Sequence, residues 1–183
     1  MPPVQRHFHP WHDIPPGSNP PDAVTACIEI PTNERNKYEL DKEIGMFRLD
    51  RVLYSAVHYP GDYGFIPRTL GDDGDPLDIL VLSTIPLFTG CLVEARPVGL
   101  FHLVDRGKAD EKVLAVPLGD PYAAGMHDLH DVPEHYLKEI EHFFRVYKDL
   151  EGATTETRGF EGASAARDAI RRAMALYDTR FPG

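Results

Sequence analysis

Apolar residues along most of this chain come in short runs cut by Gly, Pro and Asp, and a helical period emerges only in the last third. Residues 24–30, 38–41, 47–52, 79–82, 92–103 and 113–116 are rich in β-branched, aromatic and aliphatic residues and lie between turn formers. Each is expected to be a strand. Several short strands separated by turn signals suggest a small closed or partly open barrel. Further on, Tyr136, Leu137, Ile140, Phe143, Phe144 and Tyr147 repeat at helical spacing. Asp131 stands ahead of them as an N-cap, with Glu134 three residues on as in a capping box. A second helix is expected over 164–177, with Ile170, Ala173, Met174 and Tyr177 inward. Strands first and helices last give an α+β fold, mainly β, with the helices near the C-terminus.

The first 22 residues do not follow this pattern. Residues 1–21 hold seven prolines and three histidines with little apolar periodicity. They read as an extended arm, polyproline-like in places, lying on the domain or on a neighbour. His7, His9 and His12 read as solvated side chains of that arm. Residues 23–183 then form one domain without internal repeats, a size that buries most of what the unfolded chain exposes. The 42% apolar and 26% charged content is that of an ordinary soluble globule. A formal net charge of −10 argues against nucleic acid or an anionic membrane as partner, though bound metal ions can invert the local field. Cys27 and Cys91 make no disulfide framework and read as buried free thiols. With no membrane-length apolar run and no export-type leader, the expected location is the cytoplasm.

Chemistry concentrates in one loop. Asp72-Asp73-Gly74-Asp75-Pro76-Leu77-Asp78 places four carboxylates in seven residues ahead of the apolar run 79–82. Two like charges ~4 Å apart repel by roughly 4 kcal/mol at an effective dielectric near 20, so convergence needs cations as a third party. The ligands on offer are all oxygens, which points to Mg²⁺ or Mn²⁺ before Zn²⁺. An EF-hand is excluded: counted from Asp73, the sixth position is Asp78 where Gly is required, and the twelfth is Thr84, not Glu. The alternative is a solvated turn built from Asp-Gly and Asp-Pro. A second acidic pair, Asp105 and Asp110, has by itself the look of a charged hairpin tip. The run His127-Asp128-Leu129-His130-Asp131 reads as a surface loop entering the helix.

Taken together the motifs are specific. Asp73-Gly74-Asp75-Pro76-Leu77-Asp78 resembles the signature of the family I soluble inorganic pyrophosphatases, bacterial type. Around it, in that family's order, fall Ile28-Glu29-Ile30-Pro31, Asn36-Lys37-Tyr38-Glu39, Asp50-Arg51, Tyr59-Pro60-Gly61-Asp62-Tyr63-Gly64, the segment 105–112, and His142-Phe143-Phe144 leading to Tyr147-Lys148. The resemblance runs from about Ala23 to Leu150.

It implies a five-stranded OB-type barrel with helices alongside and an active site at the barrel mouth. It also implies Mg²⁺-dependent hydrolysis of inorganic pyrophosphate to two orthophosphates, with Mn²⁺ as a possible substitute, and a homohexamer. By the same resemblance, Asp73, Asp78 and Asp110 are ligands of the tighter metal, Asp105 and Asp110 hold metal that arrives with substrate, and Glu29 is an outer partner. Asp75 is the general base. Lys37, Arg51, Lys112 and Lys148, with the hydroxyls of Tyr63 and Tyr147, are phosphate contacts. Glu39 orients the basic set, and Tyr59 packs at its edge. Arg106 stands where relatives often have an acidic residue, placing a positive charge beside Asp105. An OB-type nucleic-acid module is the rival reading; the acidic composition speaks against it.

Overall fold

A computed structural model describes residues 8–182. In chain order the elements are α1 (Pro10–Asp13), β1 (Val24–Ile30), β2 (Asn36–Asp41), β3 (Met46–Val52), β4 (Asp62–Phe65), β5 (Asp78–Val81), β6 (Leu92–Asp105), β7 (Lys108–Pro117), α2 (Glu134–Val146), β8 (Thr155–Gly162) and α3 (Ala163–Arg180). Strand β1 pairs with β4, β4 with β5, β5 with β7, β7 with β6, and β6 returns to β1. That ring of five closes on itself, which removes the exposed edges an open sheet would present. It is the OB-type barrel expected. All its pairings are antiparallel except β5 with β7. Strands β2 and β3 form a separate hairpin, and β8 extends the wall beyond β6.

The strand runs 79–82 and 113–116 lack a polar face because both their faces are covered. Leu80, Leu82, Leu114 and Val116 join one apolar cluster with Ile140, Phe143 and Phe144 of α2. The residues between them, Ile79, Val81, Val113 and Ala115, join another with Ala166, Ala169, Ile170 and Ala173 of α3. The period of two thus divides each strand between two helices.

Two strands escape the sequence pattern. The four residues of β4 are too few and too uniformly buried to alternate. Strand β8 is Thr-Glu-Thr-Arg-Gly-Phe-Glu-Gly, polar in composition and interrupted by Gly159 at φ 85°, and is held by pairing to β6. Pro97 is accommodated inside β6 by a register shift between Pro97 and Gly99.

The helix start also differs from expectation. Asp131 does not cap α2: its carboxylate accepts from the N–H groups of His127 and Asp128, closing a capping box on the preceding 3₁₀ turn. Pro133 stands at the cap of α2 with no side-chain bond, its ring fixing the helix entry. Asp128 in turn accepts from Ala163 N at 2.7 Å, capping the start of α3 from a distant loop.

The arm is not extended throughout. Residues 10–13 form a helical turn, with Trp11 and Ile14 buried. Trp11 packs in a small cluster with Leu40, Phe65 and Tyr177, and its indole N–H donates to Thr69 O at 2.8 Å. His9 and His12 are engaged in this packing, and His7 lies outside the described residues. Cys27 is buried but Cys91 only partly so; both are free.

Glycine 64 is where the barrel leaves least room. It faces Ile28 across the β1–β4 pair, and a Cβ there would lie 1.9 Å from Cys27 O. Gly64→Ala should therefore cost about 3 kcal/mol or more in denaturant unfolding, at the upper end for overpacking. Gly119→Ala, where a Cβ meets nothing within 4 Å, should be near neutral in the same assay.

Candidate active site

The acidic loop, the β2 strand, the barrel rim and the end of α2 enclose a cavity of about 300 Å³. Strand β1 supplies Glu29, β2 supplies Lys37 and Glu39, β4 supplies Tyr63, and β5 begins at Asp78. Asp105 ends β6, Asp110 and Lys112 lie on β7, and Tyr147 and Lys148 follow α2. Asp73 and Asp75 come from the loop between β4 and β5.

Register explains the floor. The parallel β5–β7 pair sets Asp78 opposite Lys112, and Asp110 lies two residues before Lys112 on the same face of β7. The Lys112 ammonium meets Asp78 Oδ2 at 2.8 Å and Asp110 Oδ1 at 2.9 Å, with its side chain only 3% exposed. Tyr63 donates its hydroxyl hydrogen to Asp78 Oδ2 at 2.5 Å, and Lys112 donates to the same hydroxyl at 3.0 Å. The rings of Tyr63 and Phe144 flank the ammonium, each with its centroid 5.3 Å away. At the rim, Lys148 pairs with Asp105 at 2.7 Å. Lys37 is bonded to Glu39 and lies 3.5 Å from Asp50.

Burial and charge pull these groups apart in pKa. Desolvation would push Lys112 down, but Asp78 and Asp110 outweigh it and hold the ammonium above its ordinary value. Desolvation raises Asp110, with Lys112 opposing. Burial raises Glu29 most visibly, from 4.5 to about 8, although Leu40 N donates to its carboxylate at 2.7 Å. Lys37 is pushed down by burial, with Asp50 pulling the other way. Tyr63 and Tyr147 are raised, chiefly by burial, and stay protonated donors.

Most of the expected residues share this cavity: Glu29, Lys37, Glu39, Tyr63, Asp73, Asp75, Asp78, Asp105, Asp110, Lys112, Tyr147 and Lys148 all line it. Two lie outside the lining. Arg51 points its fork at Glu151, with Nε and Nη2 each 3.0 Å from a carboxylate oxygen, and also bonds Asp50. Tyr59 is buried in an aromatic cluster, 4.7 Å from the Phe143 ring and 5.5 Å from that of Tyr63. Arg106 sits at the tip of the β6–β7 hairpin beside Gly107, both at positive φ, and is exposed, away from the cavity. The charged hairpin tip and the acidic pair are one feature: Asp105 and Asp110 flank the tip and turn into the cavity.

Two residues escaped the sequence reading. Lys42, in the β2–β3 turn, lines the cavity and bonds the Asp75 carboxylate. Glu151 holds Arg51 across 100 residues of sequence. Lys42 is five residues beyond Lys37, an odd spacing that on a strand would face it the other way, so nothing in the sequence marked it, and nothing marked Glu151.

The donors suit a hard divalent cation. Asp73, Asp75, Asp78, Asp105, Asp110 and Glu29 present only oxygens, and Asp105 Oδ1 is buried with no hydrogen-bond partner among the described residues. Among the described residues no three acidic, His or Cys side chains lie close enough together to hold an ion as they stand, and Asp78 and Asp110 are bonded to Lys112 instead. The carboxylates are distributed around the cavity, with Lys37, Lys112 and Lys148 between them.

A barrel mouth lined by carboxylates, lysines and tyrosines is that of a phosphoryl-transfer hydrolase rather than a nucleic-acid module, which would offer a basic groove and stacking rings. The family model described as inorganic pyrophosphatase matches residues 26–178, so the chain belongs to the inorganic pyrophosphatase family. It is 52% identical over 172 residues to an inorganic pyrophosphatase of Haloferax volcanii, covering 93% of this chain and 97% of that one. To one of Halalkalibacterium halodurans it is 49% identical, covering 86% and 96%. The crystal structure of inorganic pyrophosphatase from Thermus thermophilus superposes with a TM-score of 0.88 at 45% identity, over 90% of this chain and 97% of that one.

The raised Glu29 gives a signed expectation. A carboxyl that titrates near 8 when folded and near 4.5 when unfolded takes up a proton on folding, so its contribution to stability is lost as pH rises through that window. In EDTA, Glu29→Gln, which keeps an acceptor for Leu40 N, should raise the unfolding midpoint. The gain should grow from pH 5 to 8 in steps of up to roughly 1.4 kcal/mol per pH unit. A gain independent of pH would contradict the buried, protonated carboxyl.

Proposed function

We propose that this protein hydrolyses inorganic pyrophosphate to two orthophosphates with Mg²⁺ as cofactor, through direct attack of water and without a covalent intermediate. The observation that carries the reading is the pairing of anionic and cationic halves in one cavity, within a chain of the inorganic pyrophosphatase family. Lys37, Lys112 and Lys148 line the cavity and would contact the oxygens of a compact, multiply charged diphosphate, with the hydroxyls of Tyr63 and Tyr147 as neutral donors. Arg51 has the fork for two phosphate oxygens, and reaching them requires its release from Glu151.

Asp73, Asp78 and Asp110 would hold the tighter metal, Asp105 with Asp110 the metal that accompanies substrate, and Glu29 an outer water. The ions, when bound, would offset charge on the diphosphate and acidify water. Asp75 is the general base. It is half exposed at the mouth and takes the proton at its carboxylate as water attacks phosphorus. Phosphoryl transfer asks for little covalent work from protein, so fixed donors and cations supply most of the rate. Glu39 holds Lys37, and Tyr59 packs behind Tyr63.

The same reading extends to a cytoplasmic homohexamer. No helix among the described residues is long and apolar enough to cross a membrane. Ile85, Phe88 and Tyr122, exposed by 74, 67 and 80%, offer apolar surface for subunit contact. Sedimentation should give a hexamer mass; a monomer at all concentrations would remove the assembly.

Phosphate release from pyrophosphate should be fast with Mg²⁺ and absent with EDTA. Asp75→Asn should lower kcat by about 10²–10⁴-fold, the range for a lost general base, while calorimetric Mg²⁺ affinity is kept. Equal turnover in that variant would remove Asp75 from the role.

A further inference from the structure

The cavity mouth has two rims. One is the β2–β3 turn around Lys42, and the other is the loop 66–77 that carries Asp73 and Asp75. The segment 8–14 is bonded to both. Toward the acidic loop, Trp11 Nε1 donates to Thr69 O at 2.8 Å and Arg68 N donates to Trp11 O at 2.9 Å. Thr69 in turn accepts the Leu77 N–H at its hydroxyl, 2.9 Å away, so the ends of the acidic loop are pinned from behind.

Toward the β2–β3 turn the link is His9. Its Nδ1 accepts the Trp11 N–H at 3.2 Å, which leaves Nε2 to carry the ring proton. That nitrogen lies 3.0 Å from Lys42 O and donates to it. The turn is also packed against the segment: a side chain at Gly45 would meet the His9 ring, Phe8 O and Pro10 at 3.2–3.3 Å. The backbone of Lys42 is thereby fixed, and its ammonium meets the Asp75 carboxylate across the mouth. The backbone of Asp75 is held as well, its N–H by Asp73 at 3.0 Å and its carbonyl by Gly71 at 2.7 Å. What remains free to rotate is the carboxylate, and Lys42 is the partner the structure gives it.

We propose that residues 8–14 form a strap fastening the two rims, and that Lys42, held by this strap, is a positioning residue that orients the Asp75 carboxylate for proton acceptance. This rests on Asp75 being the general base of pyrophosphate hydrolysis. An exposed ion pair is ordinarily weak because two long side chains must be ordered for it. Here one backbone is already immobilised by His9, which lowers that entropic cost.

The test is a double-mutant cycle on the full chain with His9→Ala, Lys42→Met and both together, with Lys42→Arg as the conservative control. Amide exchange at residues 41–45 is measured alongside. Each single variant should lower kcat about three- to tenfold, as fits loss of one half-exposed charge contact, with KM within about twofold. The double variant should be no slower than Lys42→Met alone, since both act through one contact. Lys42→Arg should restore most of the rate. His9→Ala should speed exchange at the turn about tenfold. Losses that multiply, an effect confined to KM, or unchanged exchange at the turn would each overturn the proposal. Absence of phosphate release from the unaltered protein would instead sink the hydrolase reading, and the exchange measurement would still decide the strap.

Discussion

A lysine ammonium almost wholly removed from water, between Asp78 and Asp110, is the contact on which the rest of this site depends. Alone, either a buried ammonium or a buried carboxylate pair would cost several kcal/mol. Each is tolerable because the others are within hydrogen-bond distance. The requirement reaches into the fold: Asp78 and Lys112 face each other only because β5 and β7 run parallel in that one register. A slip of β5 by one residue would turn Asp78 to the opposite face and take it from Lys112, leaving Asp110, on the same strand as the lysine, as its one carboxylate partner there. Strand β4 is bound by the same constraint, since Tyr63 places its hydroxyl on Asp78 from the other side.

Around that floor the charges are graded by exposure. Glu29, Lys112 and Lys148 are buried, Asp105 is partly buried, and Lys42 and Asp75 are about half exposed at the mouth. Buried members gain rigidity and shifted proton affinity, while Lys42 and Asp75 at the mouth stay open to solvent. A diphosphate entering such a cavity meets positive charge already fixed in place, so little reorganisation is left for the moment of reaction. The arm belongs to the same economy of placement. Its indole lies behind the acidic loop and its imidazole behind the Lys42 turn, so one short helical turn and its flanks are bonded to both rims.

Much of this was legible from the chain itself. Runs such as Ile79-Leu80-Val81-Leu82 announced strands, and the spacing from Tyr136 to Tyr147 announced α2, because period is a local property. The carboxylates of 72–78 stood out because like charges so close together need a reason. Where expectation failed, the cause was non-local. Asp131 looked like a cap for α2, but Pro133 took that position and Asp131 closed the turn before it. Strand β8 has a loop's composition and exists because β6 offers it a ladder.

The sequence by itself determined the strand and helix periods, the oxygen-only chemistry of the acidic loop, and the motif order that marks an inorganic pyrophosphatase. These depend on residue type and spacing, which any stretch of chain carries with it. Only the tertiary structure decided that Arg51 is turned onto Glu151, that Arg106 is exposed at a hairpin tip outside the cavity lining, and that Lys42 meets Asp75. A charged side chain has many potential partners, and which one it takes is set by the register and closure of a barrel whose pairings join residues far apart in sequence.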